Sequence, residues 1–378
     1  MDVGFETEVE IRDSGRTCEI EVENEPTKGY IRITKTDRLN GNPIEGVRFD
    51  IYENDEYGSA LAGSMVTDEN GVAVSEPLRK GRYIVREHGE TAGYVFEEIA
   101  LDAVVKPDET TDLSVTNQPV RVRLKLYKRD ADEYAGKPAD APGTRGDGEL
   151  TGAVFRVLAA QGITDRQGNV IYEKGAVVVD SLTTAGEDAS VTTDALWPGV
   201  YEIVELAPPV GYQAAVDSII VDARSAAKQS HEAVVIYEGV VTNEIRYGAQ
   251  AIVKLLGGMS DDPDPDRVET PEAGAEFLVY LRKAGSYENA RAFERDRLVT
   301  DENGYAKTKA LPYGVYVLEQ IKGAPGYELK GPILFEIDGT EDVLNPPPLT
   351  LSDRPIRYRL RLMKTCLLYT SDAADDLT

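Results

Sequence analysis

Lysine, glutamate and asparagine side chains recur in the same order at two places along the 378-residue chain. A lysine amine that lies against an asparagine side chain can attack the amide carbon and expel ammonia, which leaves a covalent amide cross-link. Burial in an apolar core favours this reaction, because it lowers the pKa of a lysine and raises that of a glutamate, the proton donor. The residues with these types and this order are Lys35, Glu87 and Asn117, followed by Lys128, Glu205 and Asn243. The two sets predict self-reacting triads in which the fold supplies proximity.

Each of these polar residues continues a row of apolar side chains on one face of a predicted strand. The row that leads to the second lysine is Val122, Leu124, Leu126 and Lys128. A single polar residue of this kind could instead mark a strand end, where a long side chain reaches solvent. Because burying an unpaired charge is very costly, the repetition of three residue types in two copies favours a paired set that points inward.

Short sequence blocks occur three times along the chain, and their spacing predicts a tandem repeat. In each of four pairs the second residue follows the first by 11 positions, and the pairs are Asn24 and Lys35, Asn117 and Lys128, Asn243 and Lys254, and Asp353 and Lys364. We predict the C-terminal strands of a truncated copy over 1–27, complete copies over 28–119, 120–245 (with a long insertion near 131–150) and 246–355, and the first strand of a truncated further copy over 356–365. Asn24 and Lys364 are then halves of incomplete triads.

The last segment, 366–378, continues none of the repeats. Its sequence CLLYTSDAADD, which starts at Cys366, resembles the translation of a transposase-type sequencing adapter. We expect this segment to be disordered and leave it out of the fold prediction.

The remaining blocks are short, rich in Val, Ile, Tyr and Thr, and separated by clusters of Gly, Asp, Asn and Pro. This pattern is typical of strands and turns, and no long stretch has the 3.6-residue period of a helix. Each copy is therefore predicted to be an all-β sandwich.

The ordered blocks resemble the Cna B-type (SpaA-like, prealbumin-like) domains of Gram-positive surface proteins and pilins. They are KTD or KRD, GxxF, TDxxG, LxxGxYxxxE, PxGY and a terminal VTN. The resemblance implies a tandem array of seven-stranded inverse immunoglobulin-like β-sandwiches. It also implies a spontaneous isopeptide bond between the first and last strands of a copy, assisted by the Glu of the LxxGxYxxxE block. The implied location is extracellular, on the cell wall, with peptidoglycan as a partner through an anchor outside this fragment.

The third copy departs from the pattern. Lys254 and Asp353 stand where the bond partners are expected, but Gln320 occupies the position of the catalytic glutamate. Glu319 is adjacent and is predicted to face the other way. Because glutamine cannot act as an acid, we expect the third bond to be slow or absent.

Composition excludes several other classes of protein. The formal charge of −26 disfavours nucleic acid and anionic membranes as partners, and no apolar run approaches the roughly 20 residues of a membrane span. Two histidines and two cysteines leave little for a zinc site or a histidine-based triad, so no cofactor and no enzyme activity is predicted. The weak metal candidate is Asp262, Asp264 and Asp266, which lacks the glycine and late glutamate of a calcium loop.

Two functions stay open at this point. The first is a structural stalk of an adhesin or pilin-like protein. The alternative is a ligand-binding adhesin module that recognises a host matrix protein or glycan through the loops of one copy. The insertion of the second copy carries Arg145-Gly146-Asp147, a tripeptide that could be presented to an integrin but that also arises by chance.

Overall fold

The computed structural model describes Gly15 and residues 27–54, 60–136, 145–165, 167–228, 231–257, 269–340, 343–358 and 360–364. Apart from Gly15, residues 1–26 lie outside these ranges, and so do the strands predicted there and Asn24. The three aspartates of 262–266 and the segment 366–378 also lie outside them. Contacts divide the chain into two compact units: one runs to Arg121 and takes in Ser225–Val235, and the other holds Val122–Arg224 and the residues from Ile236 onward. Domains 1, 2 and 3 denote residues 28–119, 120–245 and 246–355.

Domain 1 is a sandwich of two sheets. Its strands are β1 (Lys28–Asp37), β2 (Arg48–Glu53), β3 (Leu61–Val66), β4 (Val72–Val74), β5 (Leu78–Arg79), β6 (Gly81–Glu87), β7 (Ala100–Val105) and β8 (Thr110–Asn117). In one sheet β1 pairs with β4, β5 and β8, and the other sheet has the order β3-β2-β6-β7. β1 and β8, the first and last strands, run parallel with Asp37 opposite Asn117. Ile31, Ile33 and Val85 lie in the core between the sheets.

Domain 2 repeats this arrangement. Its elements are β9 (Arg121–Asp130), α1 (Ala131–Tyr134), β10 (Val154–Ala159), β11 (Ile163–Thr164), β12 (Val170–Tyr172), β13 (Val177–Thr183), β14 (Ser190–Thr192), β15 (Val200–Ala207), β16 (Ile219–Asp222), the 3-10 helix η1 (Arg224–Lys228) and β17 (Val234–Asn243). The sheets have the orders β14-β9-β17 and β13-β10-β15-β16, so β9 and β17 are again neighbours. β11 and β12 form a separate small hairpin.

Domain 3 has the same two sheets with small additions. Its elements are β18 (Tyr247–Gly248), β19 (Ala251–Leu256), β20 (Thr270–Pro271), β21 (Glu276–Leu281), η2 (Arg282–Ala284), η3 (Ala292–Glu294), β22 (Arg295–Val299), β23 (Tyr305–Lys307), β24 (Leu311–Pro312), β25 (Gly314–Lys322), β26 (Tyr327–Glu328), β27 (Ile333–Ile337) and β28 (Pro348–Pro355). One sheet is β20-β19-β28-β26 with β23 on β19, and the other is β22-β21-β25-β27. β19 and β28 run parallel with Leu256 opposite Asp353.

The described part of 356–365 corrects one prediction. The apolar residues of this segment alternate as in a first strand, yet 356–358 and 360–364 contain no strand. Tyr358, Leu360 and Leu362 are each at least 85% exposed. A strand needs a neighbour to satisfy its backbone groups, and alternation alone does not supply one.

The insertion of domain 2 contacts domain 3 within the second unit. The backbone N–H of Asp147 donates to the carbonyl of Tyr313 (2.9 Å), and the Asp147 carboxylate accepts the backbone N–H of Val315 (3.0 Å). Arg145 pairs with Glu133 at 2.5 Å. The aspartate and arginine of the Arg-Gly-Asp tripeptide are thus both engaged inside the chain rather than presented as a free loop.

Candidate functional site

The position of Lys35 follows from the alternation of β1. Buried and exposed residues alternate along the whole strand, and the Lys35 side chain, on the inward face, is fully buried. The turn before β4 holds the lysine backbone, because Lys35 N–H donates to the carbonyl of Gly71 (2.7 Å). Gly71 belongs to the TDENG block, so this block positions the lysine.

In domain 1, one glutamate contacts both of the other predicted triad members. Lys35 Nζ lies 2.7 Å from Glu87 Oε2, and Asn117 Nδ2 donates to Glu87 Oε1 at 2.9 Å. Lys35 Nζ also donates a short hydrogen bond to Asn117 Oδ1. All three residues are at most 8% exposed. The structure therefore brings the amine, the amide and the carboxylate into mutual contact.

Domain 2 brings the second predicted set together in the same way. Lys128 Nζ lies 2.5 Å from Asn243 Oδ1 and 2.9 Å from Glu205 Oε1. Asn243 Nδ2 donates to both Glu205 oxygens, at 2.9 and 3.0 Å. Glu205 Oε2 also accepts the backbone N–H of Ala215 (2.7 Å), which fixes the carboxylate from the loop after β15.

An apolar environment favours the neutral amine at both sites. The Phe49 ring of the GxxF block lies 5.7 Å from Lys35 Nζ, and Phe155 lies 5.8 Å from Lys128 Nζ. Burial lowers the pKa of Lys35 and of Lys128 below the ordinary 10.5, against the opposing effect of the neighbouring glutamate. Each phenylalanine is the cross-strand partner of the glutamate that contacts the lysine.

Domain 3 holds its predicted residues together with one that sequence reasoning missed. Lys254 Nζ lies 2.7 Å from Asp353 Oδ1, and Gln320 Nε2 donates to Asp353 Oδ2 at 2.8 Å. Glu272 is the missed residue, and its Oε2 lies 3.2 Å from Lys254 Nζ. All four side chains are buried, at most 5% exposed.

Two further buried hydrogen bonds were also missed by sequence reasoning. Tyr94 donates its hydroxyl to Asp37 (3.0 Å), and Tyr212 donates to Asp130 (3.0 Å). The tyrosines belong to the GY blocks and the aspartates to the KTD and KRD blocks, so the repetition of both blocks was an available signal. In domain 3 the aspartate is replaced by Leu256.

Among the other predicted site residues, Lys364 is exposed and joins none of these sets. Asn24 and the 262–266 aspartates lie outside the described ranges. Among the residues that the structure describes, no three His, Cys, Asp or Glu side chains converge to hold a metal ion. No helix in the same ranges is long and apolar enough to cross a membrane.

The fold and these sites define a class of β-sandwich domains with a buried lysine held between the first and last strands. Residues 29–119 and 266–345 match the family model described as SpaA, prealbumin-like fold domain. The match covers domain 1 and most of domain 3, and these two segments are similar to that family.

Among the similar solved structures, one with a TM-score above 0.5 supports the fold. The Bacillus anthracis TIE protein is similar over 86% of this chain, with 22% identity and a TM-score of 0.52, and this chain covers 50% of that chain. BcpA, the major pilin subunit of Bacillus cereus, is 16% identical over 87% of this chain and 100% of its own, with a TM-score of 0.31. A streptococcal ancillary pilin is 17% identical over 88% of this chain and 100% of its own, with a TM-score of 0.26. A search of curated protein sequences found no significant relative.

Proposed function

We propose that this chain is part of the stalk of a Gram-positive cell-surface protein, pilin-like or adhesin-like, and that domains 1 and 2 form intramolecular Lys–Asn isopeptide bonds. The observation that carries the proposal is the buried contact of one lysine with both a glutamate and an asparagine, which occurs in both domains. The match of residues 29–119 and 266–345 to the SpaA prealbumin-like fold domain supports a location outside the cell.

The contacts in domain 1 suggest how the bond would form. Glu87 Oε2 takes a proton from the Lys35 ammonium, and the amine then attacks Cγ of Asn117 to make the new C–N bond. The attacking nitrogen then gives a second proton to Glu87. Glu87 Oε1, which already accepts a hydrogen bond from Asn117 Nδ2, delivers both protons to that nitrogen. The old C–N bond breaks, and ammonia leaves together with the remaining proton as ammonium. Because one carboxylate touches both nitrogens, the proton needs no solvent to carry it.

The cross-link would also remove a buried charge. Taking a lysine and a glutamate out of water is costly, and the ion pair offsets this only in part. The product amide is neutral and closes a loop of 82 residues between Lys35 and Asn117. The loop entropy relation for disulfides gives about 4.5 kcal/mol of stabilisation from the unfolded state for a closure of this length. The reaction occurs once in each domain, so the proposal is a structural protein and not an enzyme.

Intact mass of the purified chain tests the proposal. Domains 1 and 2 should together lower the mass by two ammonias, and Glu87→Gln or Glu205→Gln should each restore one, after allowing for the substitution. Glu97→Gln is a matched control, because Glu97 makes a half-exposed ion pair with Arg38 in domain 1. A parent chain that keeps the mass of both ammonias would rule out the cross-links.

The ligand-binding alternative rests on the loops of domain 2. The contacts of Asp147 with domain 3 do not favour integrin recognition through the Arg-Gly-Asp tripeptide. Binding of the whole chain to matrix proteins or glycans, compared with an Asp147→Ala variant, would separate this function from a purely structural one.

A further inference from the structure

Glu272 occupies a position that is apolar in the other two domains. A threonine hydroxyl marks this position in each domain, because it donates to the backbone carbonyl of the residue there. The three pairs are Thr67 with Ile44 (2.8 Å), Thr184 with Leu150 (3.2 Å) and Thr300 with Glu272 (2.6 Å). The backbone N–H of this residue also donates to the carbonyl of the lysine in domains 1 and 3, at 3.0 and 2.9 Å. A carboxylate at this position is therefore placed next to the lysine by the backbone.

The side chain of Glu272 is aimed at the amine. Its Oε2 lies 3.2 Å from Lys254 Nζ, and its Oε1 accepts the backbone N–H of Ala324 at 2.5 Å. Glu272 Oε2 and Asp353 Oδ1 are fully buried and form no aligned hydrogen bond with any described residue, although both lie within ion-pair distance of Lys254. Two buried carboxyl groups therefore converge on one amine, Asp353 as the reacting partner and Glu272 in a position to move its protons.

In domains 1 and 2 one glutamate contacts both the lysine and the residue that the lysine would attack. In domain 3 Gln320 makes the second of these contacts. It stands opposite Phe277, as Glu87 stands opposite Phe49, and it donates from Nε2 to Asp353 Oδ2. The backbone N–H of Lys330 fixes the orientation of the amide by donating to Gln320 Oε1 (2.8 Å). Gln320 can therefore polarise the Asp353 carboxyl, as a hydrogen-bond donor can, but cannot carry a proton between the reacting atoms.

We propose that Glu272 is the catalytic carboxylate of a Lys254–Asp353 amide bond, so that in domain 3 the acid has moved from β25 to the segment before β21. This inference rests on the proposed function, because it extends the same cross-linking chemistry. It replaces the expectation that Gln320 leaves the third bond slow or absent.

The reaction balances as a condensation. Glu272 takes a proton from the Lys254 ammonium, and the amine attacks Cγ of Asp353 to form the C–N bond. Gln320 holds Asp353 Oδ2, which becomes the carbonyl oxygen of the amide. Glu272 passes protons to the other Asp353 oxygen, the C–O bond breaks, and two of the three ammonium protons leave with that oxygen as water. No oxidant or external reactant is needed.

The test compares the loss of water with the loss of ammonia in the full chain. We expect the parent mass to be lower by two ammonias and one water, and a digest to contain one peptide in which Lys254 is joined to Asp353. Glu272→Gln should regain the mass of one water and keep both ammonia losses. Glu276→Gln is the matched control, because Glu276 lies on β21 nearby but pairs at the surface with Arg297 and Lys322.

A relocation variant keeps the test decisive if Glu272→Gln destabilises domain 3. Glu272→Ile combined with Gln320→Glu recreates the arrangement of domain 1 and should lose water again. The inference is overturned if the parent loses both ammonias but no water, if Glu272→Gln still loses the water, or if the folded relocation variant does not. A parent that loses neither ammonia nor water would instead contradict the proposed function itself.

Discussion

At the residue scale, the three sites differ in how many side chains would share the proposed proton transfer. In domains 1 and 2 a single glutamate contacts both the lysine nitrogen and the asparagine nitrogen. In domain 3 the proposed leaving group is an oxygen of Asp353, and a glutamate and a glutamine divide the contacts. The proposed reaction needs a neutral amine in every case, so it would depend on the protonation of a buried lysine.

In a variant that cannot form the cross-link, the protonation of the buried lysine should make the free energy of unfolding depend on pH. In Asn117→Ala, Lys35 has no amide to attack and keeps its amine, whose pKa burial lowers from 10.5. Between the folded and unfolded pKa values the unfolded chain binds more protons, so the free energy of unfolding rises with pH in that window. We expect the domain 1 transition in calorimetry to move to higher temperature as the pH rises toward 10.5.

The control for this prediction removes the amine. Asn117→Ala with Lys35→Met should lack the rise, because methionine does not titrate. Equal pH profiles for the single and double variants would show that Lys35 is not the group responsible.

At the element scale, a turn packs against the backbone of the lysine in domains 1 and 3. Gly71 has a φ of +70°, and a Cβ at this position would lie 2.4 Å from the carbonyl oxygen of Lys35. Gly304 repeats this approach to Lys254, at 2.2 Å. The TDENG turn therefore packs against the lysine backbone too closely for any residue with a side chain.

We predict that Gly71→Ala destabilises domain 1 and lowers the fraction of chains that have lost ammonia at Lys35. Gly46→Ala is the matched control, because Gly46 has a similar φ of +77° but open space at its Cβ. The control should lose about 1–2 kcal/mol from left-handed strain alone, and Gly71→Ala more. Melting temperature and intact mass measure the two effects. Equal behaviour of the two variants would show that the close approach does not position the lysine.

The sequence predicts regular strands better than the short segments between them. Alternation along strands and the repeated blocks were enough to predict an all-β fold and the inward-facing Lys35, Glu87 and Asn117. Glu272 was missed because it follows β20, a strand of two residues that is too short to show a period, and the pairing of β20 with β19 brings it beside Lys254. The described residues 356–358 and 360–364 contain no strand, although one was expected over 356–365, because alternation alone does not supply a neighbouring strand.

At the scale of the whole molecule, the sites lie where tension would cross each domain. In domain 1 the chain enters through β1 and leaves through β8, which are parallel neighbours. A bond from Lys35 to Asn117 would carry force directly between these strands. The residues between the two bonded positions would then lie outside the path of the load, as suits a stalk.

Pulling single chains by their ends should reveal this path. The loop between Lys35 and Asn117 spans 82 residues, which is about 280 Å of extended chain at roughly 3.4 Å per residue. The loop between Lys128 and Asn243 spans 115 residues, or about 390 Å. We expect the parent chain to release neither length. Glu87→Gln should release the shorter length and Glu205→Gln the longer one, because each variant lacks one cross-link. The Glu97→Gln control should extend like the parent, and a parent that releases both lengths would show that the strands are not tied.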